Sequence, residues 1–244
     1  MITLAVPVVL VQLGFMSMGV VDTLMVGRVS ARVLAAVALG NLYFFNVSIF
    51  AVGTLMALDP IVAQAVGAGD VEGVSRAMQR GLLLSFGLSV LTAALLAPAA
   101  SLLRALHQPP EIIGDAAAYV KISIAGIVPY LAFVVLRQSL QAMHRVAPVV
   151  WTMIAANLTN AGFNWVFVYG HLGSPTLGVA GSSIATAISR WVMTILLLVV
   201  AWPDLHLTSP RGHAAQLSTS TAGFRRLDAR DLAELLARLS THRA

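Results

Sequence analysis

The chain has 244 residues, of which 58% are hydrophobic and 10% are charged, and its formal net charge at pH 7 is +5. Soluble domains carry about 25% charged residues and about 45–50% apolar residues, so a water-soluble fold of this composition would have too little polar surface. The composition therefore indicates an integral membrane protein. The chain has no cysteine, which excludes disulfides and thiolate metal sites.

Six apolar stretches are long enough to cross a bilayer, which takes about 20 residues of helix. In chain order they are residues 2–26, 33–58, 81–103, 119–140, 146–169 and 179–202. Strands of a membrane barrel would be about 9–11 residues long and would alternate in polarity. We therefore predict an all-α integral membrane fold, in which residues 1–203 form a bundle of six transmembrane helices.

The arginines between the predicted helices indicate an orientation. An even number of spans puts both termini on one side, and the connections on that side contain Arg76, Arg80 and Arg145. The tail, residues 204–244, adds six more arginines. Since basic residues stay on the cytoplasmic side, we predict a multi-pass protein of a bacterial-type inner membrane with both termini in the cytoplasm.

The tail differs in composition from the rest of the chain. It is rich in Ser, Thr, Arg and His up to about residue 222, which is typical of a flexible linker. Residues 227–239 then place leucines at helical spacing on one side. We predict a flexible cytoplasmic linker over residues 204–244 that contains this short amphipathic helix.

Pro7, Pro98 and Pro129 each lie inside a predicted span. Proline removes a backbone donor and frees a carbonyl group, which membrane helices tolerate where neighbouring groups satisfy that carbonyl. We expect these three helices to be interrupted at the prolines.

Asp22 is the one carboxylate in an otherwise uncharged first span. Ionisable groups inside a membrane are costly and indicate a functional site by default. With a rise of 1.5 Å per residue, Asp22 lies about 6 Å below the outer surface, Thr186 about 10 Å, and Asn164 and Asn160 about 7–14 Å. The sequence therefore predicts a polar cluster in the outer half of the membrane.

This cluster has two interpretations. Asn160 and Asn164 are four residues apart and share a helix face, and each could simply cross-link helices, at about 0.6 kcal/mol apiece. Together with Asp22, they could instead hold a proton, or Na⁺ coordinated by carboxylate, carbonyl and hydroxyl oxygens. The possible sodium ligands are Asp22 and Asn164.

Other residues in the spans are candidates for a binding wall. Arg190, near the middle of the sixth span, must face the bundle, a partner or a water-filled cavity, and packing is the favoured role. A set of methionines and phenylalanines could form an adaptable apolar wall, with core or lipid-facing packing as the alternative for each. These are Met16, Met18, Met25, Met143, Met153, Phe44, Phe45 and Phe133.

No catalytic motif occurs in the sequence: a Walker A segment, a His/Glu metal motif and a Gly-x-Ser-x-Gly turn are all missing. We therefore expect no enzymatic activity, no cofactor and no nucleic-acid partner. A transporter without a nucleotide site would have to use an ion gradient.

Several segments, in order and spacing, resemble the MATE family, the multidrug and toxic compound extrusion transporters. They are LAVP at 4–7, VDTLMVG at 21–27, LAAV at 34–37, ALDPIVAQAVGAG at 57–69, NAGFNWVFVYG at 160–170 and PTLGVAGSSIAT at 175–186. The resemblance covers about residues 2–202. It implies a twelve-helix fold of two six-helix lobes, of which this chain is the N-terminal one.

The resemblance also implies a function. Members export amphipathic or cationic drugs in exchange for Na⁺ or H⁺, and the match assigns the coupling carboxylate to Asp22, the polar pair to Asn160 and Asn164, and a hydroxyl to Thr186. Some members have Asp at the position of Asn164, so a second carboxylate of this lobe is absent here.

The sequence ends where the seventh helix of the family would begin, and we expect a truncated chain. A missing second lobe, or a second copy, would then be a partner alongside the lipid bilayer. Two alternatives to drug export stay open, namely a flippase for lipid-linked glycans of the same superfamily and a non-transporting fragment.

Overall fold

The computed structural model describes residues 2–205, which form nine α-helices and one short 3₁₀ helix (Ile124–Gly126). The predicted linker and amphipathic helix of the tail lie outside the described residues. The helices are α1 (Ile2–Gly27), α2 (Ala31–Met56), α3 (Leu58–Gly67), α4 (Val71–Leu96), α5 (Ala99–Ala105), α6 (Pro110–Ser123), α7 (Ile127–Ala142), α8 (Ala147–Phe167) and α9 (Val179–Leu205).

The predicted all-helical fold is confirmed for the described residues, and each of the six predicted spans overlaps a helix. Four helical segments are long and apolar enough to cross a membrane by length and composition, namely Ala31–Gly67, Val71–Leu96, Pro110–Ala142 and Val179–Trp202. The count of six spans and the orientation of the termini stay predictions.

Pro7, Pro98 and Pro129 act differently in the spans that contain them. At Pro98 the chain breaks into α4 and α5, and the hydroxyl of Tyr43 donates to the carbonyl of Leu95 at 2.9 Å. That carbonyl belongs to the last turn of α4, where carbonyl groups have no N–H donor within the helix. At Pro7, by contrast, α1 continues without interruption, so the break expected there was wrong.

Pro129 breaks the helical run between α6 and α7, as expected. Because Pro129 has no N–H, the carbonyl four residues earlier, at Ala125, lacks its usual helical donor. The indole Nε1–H of Trp191 donates to that carbonyl at 3.1 Å, and the hydroxyl of Thr194 donates to the carbonyl of Pro129 at 2.5 Å. Two side chains of α9 therefore satisfy the backbone where α7 begins.

Small residues allow α8 and α9 to approach closely. A Cβ added at Gly181 would lie 2.7 Å from the backbone carbon and oxygen of Phe167. Farther along α9, the hydroxyl of Ser183 donates to the carbonyl of Tyr119 at 2.7 Å. Close backbone approach and hydroxyl hydrogen bonds are the means by which helices associate in lipid, and here they bring α9 against both α8 and α6.

The first turn of α4 is capped by Asp70, whose Oδ1 accepts a hydrogen bond from the Gly73 amide at 2.8 Å. We expect Asp70→Ala to destabilise the chain by about 1 kcal/mol, the typical value of an N-cap. Thermal unfolding in detergent would measure the loss, and Asp70→Asn, which keeps an acceptor, should unfold close to the wild-type temperature. Equal unfolding of the alanine variant and the wild type would show that the cap contributes nothing.

Candidate functional site

Asp22 lies on α1 and is only 7% exposed. Its two carboxylate oxygens accept hydrogen bonds from different helices. Nδ2 of Asn164 on α8 donates to Oδ1 at 2.6 Å, and the hydroxyl of Thr186 on α9 donates to Oδ2 at 3.0 Å. Hydrogen bonds to an ionised group are stronger than those between neutral groups, so these two donors stabilise the charged form of the carboxylate.

Asn160 completes the cluster one helical turn before Asn164. Nδ2 of Asn164 also donates to Oδ1 of Asn160 at 3.1 Å, and Nδ2 of Asn160 approaches the Thr186 hydroxyl at 3.4 Å. Both asparagines are fully buried. All four residues named from the sequence are thus in mutual contact, although contact alone does not assign them a transport role.

Asn157, on the same helix, bonds to the backbone of α1 rather than to Asp22. Its Nδ2 donates to the carbonyl of Gly14 on α1 at 3.0 Å and to the carbonyl of Met153 at 2.8 Å. Near the C-terminal end of α1, the hydroxyl of Tyr169 donates to the carbonyl of Met25 at 2.8 Å. Asn157 and Tyr169 fasten α1 to α8 and the residues that follow it, which fixes the position of Asp22 opposite its donors.

The oxygen atoms of the cluster are of the types that bind a proton or a hard monovalent cation. Oδ1 of Asn164 is buried and has no hydrogen-bond partner within residues 2–205, so one amide oxygen of the cluster accepts no hydrogen bond. Oxygen ligands of these types are preferred by hard cations. In the same part of the chain, no group of three or more His, Cys, Asp or Glu side chains is arranged to hold a metal ion.

A cavity of about 320 Å³ adjoins the cluster, and both Asp22 and Thr186 form part of its wall. This volume is at the lower end of the range for small-molecule sites, about 300–1,000 Å³. Of the eight predicted Met and Phe wall residues, four line the cavity, namely Met16, Met18, Phe44 and Phe45. Phe133 and Met153 instead belong to the buried core.

Arg190 also lines this cavity, whereas the sequence favoured a packing role for it. Its guanidinium carbon lies 4.1 Å from the ring centre of Phe44 and 5.2 Å from that of Tyr130. Sequence reasoning named Phe44 as a wall residue but missed Tyr130 and the contact of both rings with Arg190. The two rings come from α2 and α7, and no periodicity of α9 indicates them. Sequence reasoning also missed Gln12 and Asn41, which contribute polar groups to the same wall.

Long apolar helices around a buried carboxylate and an adjoining ligand-sized cavity define a class of protein, the polytopic integral membrane proteins. The match to a family is direct, because the MatE family model covers residues 7–166. The chain belongs to the MatE family. The resemblance read from the sequence is therefore confirmed, as is the expectation that the chain is not an enzyme.

Relatives and solved structures agree with this assignment. The chain is 36% identical over 194 residues to the multidrug resistance protein MdtK of Cronobacter sakazakii, covering 79% of this chain and 42% of that protein. It also resembles the eukaryotic MATE transporter AtDTX14, with a TM-score of 0.74 and 22% identity over 81% of this chain and 44% of the other.

A third similarity is to a multidrug resistance MATE transporter of the MOP superfamily in an outward-facing conformation. The TM-score is 0.73 at 24% identity, over 82% of this chain and 44% of the other. The chain thus spans less than half the length of the relatives it matches, and these structural likenesses establish the fold.

Proposed function

We propose that this chain is the N-terminal lobe of an ion-coupled antiporter that exports amphipathic or cationic drugs across a bacterial cytoplasmic membrane. The observation that supports this most is the contact of Asp22 with both Asn164 and Thr186 at the edge of the cavity. A carboxylate so placed can attract a cationic drug when charged and release it when neutralised. In this proposal Asp22, Asn160, Asn164 and Thr186 form the coupling site.

Proton loading changes the hydrogen bonds of this site. A carboxylate offers two acceptor oxygens, whereas a carboxylic acid carries one O–H donor in place of an acceptor. Protonation of Oδ1 puts the N–H of Asn164 opposite an O–H group and holds α8 less tightly to α1, whereas the Thr186 hydroxyl can reverse and accept from a protonated Oδ2. Neutralisation at Oδ1 therefore weakens attraction for a cation and loosens the contact between α8 and α1 in the same step.

Sodium would act at the same place, with Asp22 and Asn164 as the proposed ligands. A bound Na⁺ neutralises the carboxylate as a proton does, and it uses the unpartnered Oδ1 of Asn164. Alternating access requires one bundle to move against another, so this lobe would act with a second lobe or a second copy. The glycan flippase alternative requires a basic cavity, and Arg190 is the one basic residue among the described residues of the wall.

Binding of tetraphenylphosphonium to the purified chain in nanodiscs tests the proposal. We expect affinity to fall about tenfold as the pH is lowered from 8 to 5.5 or as Na⁺ is added, because either ion neutralises Asp22, and a tenfold change corresponds to about 1.4 kcal/mol. Asp22→Asn should remove this dependence.

The matched control is Asp115→Asn, since the Asp115 carboxylate lies at the surface in an ion pair with Arg32. The Asp115→Asn variant should bind tetraphenylphosphonium with the same pH and sodium dependence as the wild type. If Asp22→Asn keeps the pH and sodium dependence, Asp22 is not the coupling group; if no cation binds to the wild type, the chain is a non-transporting fragment.

A further inference from the structure

Arg190 is a buried charge that faces the cavity without an ion-pair or hydrogen-bond partner among the described residues. It is 9% exposed and follows Thr186 by four residues on α9, so the two side chains share a helix face. Its Nη1 is buried with no hydrogen-bond partner, and none of the ion pairs within residues 2–205 involves it. Buried charges in proteins are normally paired, whereas no carboxylate of the described residues lies within 4.0 Å of this guanidinium.

The neighbours of Arg190 hold it in place but do not use its N–H groups. Phe44 and Tyr130 contact the guanidinium through their ring faces, which attract a cation but accept no conventional hydrogen bond. On the other side, a Cβ at Gly126 would lie 3.1 Å from Cδ of Arg190, so α9 packs closely against the turn before α7. The side chain is therefore positioned while its hydrogen-bonding edge stays available.

Asp22 is the nearest candidate for an internal counter-ion, and it is already engaged. Its two oxygens accept from Asn164 and Thr186 at 2.6 and 3.0 Å, and it forms no ion pair with Arg190. The wall of one cavity thus holds a carboxylate and a guanidinium that are separately positioned. A ligand that carries both a cationic and an anionic group matches such a wall.

We propose that Arg190 forms an anion subsite that binds the carboxylate of an amphipathic, zwitterionic substrate. The inference rests on the proposed export function, since it takes the cavity as the drug site. Arginine binds carboxylates through two parallel hydrogen bonds. The aromatic body of the substrate lies on the Phe44, Phe45 and methionine wall, and its cationic end points toward Asp22.

A pair of fluorescent dyes that differ at one group tests the subsite. Rhodamine 110 carries a free carboxylate, and rhodamine 123 is its methyl ester with the same cationic ring system. Fluorescence anisotropy with the full chain in phosphatidylcholine nanodiscs at pH 7.5 measures both affinities. We expect the wild type to bind the free acid about tenfold more tightly than the ester, a comparison that needs no variant.

Variants then locate the preference. Arg190→Gln should lose the preference for the acid while keeping its affinity for the ester, and Arg190→Lys should keep part of it because the charge remains but the planar fork is lost. Arg104→Gln makes the same change at an exposed arginine outside this cavity and should retain the full preference.

Each remaining outcome contradicts a specific claim. Equal binding of the two dyes by the wild type, or a preference that persists in Arg190→Gln, overturns the anion subsite and leaves the proposed function intact. Binding of neither dye overturns both. If phosphatidylglycerol in the nanodiscs abolishes binding of the acid alone, the anion that Arg190 holds is a lipid phosphate and the substrate assignment is wrong.

Discussion

Gly181→Ala is expected to destabilise the chain by about 1–3 kcal/mol, the usual range for overpacking, and to lower its unfolding temperature in detergent by about 5 °C. The new Cβ would lie 2.7 Å from the carbon and oxygen of the Phe167 backbone. A backbone group cannot rotate away as a side chain can, so α8 and α9 would have to separate. Thermal unfolding followed by circular dichroism measures the loss.

The same variant should also affect the polar cluster, because Asn164 on α8 and Thr186 on α9 both hydrogen-bond to Asp22. Gly162→Ala is the matched control, since Gly162 lies on α8, the partner helix of Gly181, and a Cβ there would meet nothing within 4 Å. Removing a helical glycine at an open position should be neutral or stabilising, by up to about 1 kcal/mol. Equal unfolding temperatures for the two variants would show that the close contact between α8 and α9 contributes little.

Asn164→Leu is expected to weaken binding of tetraphenylphosphonium at neutral pH by about tenfold, the loss that neutralisation of Asp22 produces. Leucine has a similar size but no N–H, so Oδ1 of Asp22 loses its 2.6 Å hydrogen bond. A hydrogen bond to a charged group contributes about 1.5–3 kcal/mol, and each 1.4 kcal/mol is about tenfold in affinity. Titration of the cation by isothermal calorimetry measures the effect.

Asn46→Leu makes the same chemical change away from the site. Nδ2 of Asn46 donates to the carbonyl of Leu42 within α2 at 2.8 Å, and the residue is exposed. Its variant should bind the cation as the wild type does. Wild-type affinity in Asn164→Leu would mean that the charged form of Asp22 does not depend on this donor.

The contacts of the polar cluster could be predicted from sequence because they follow from regular geometry. A fixed rise per residue gives comparable depths for Asp22, Asn160, Asn164 and Thr186, and the four-residue spacing puts the two asparagines on one face. The structure brings the four side chains together as this reasoning expects. Whether they couple transport to an ion is a separate proposal that depends on the binding experiments.

The surroundings of Arg190 could not be predicted in the same way. The position of a residue along one helix does not show which neighbouring helix its side chain faces. The contacts of Arg190 with the rings of Phe44 and Tyr130, and its close approach to Gly126, are therefore visible only in the structure.

The effect of a proline on a membrane helix is hard to predict from sequence for a similar reason. Pro98 and Pro129 lie where a helical run is interrupted, whereas Pro7 lies within an uninterrupted α1. The proline alone therefore does not determine whether a helix breaks.

The hydrogen bonds that Trp191 and Thr194 donate to the carbonyls of Ala125 and Pro129 have a mechanical consequence. In lipid no water can replace these donors, so the break between α6 and α7 cannot rearrange independently of α9. Arg190 directly precedes Trp191 in sequence, and Thr186 lies one turn before Arg190. A rotation of α9 would therefore move the start of α7 together with it. The same rotation would move Thr186 and Arg190, so the cavity wall and the start of α7 would change position in one step.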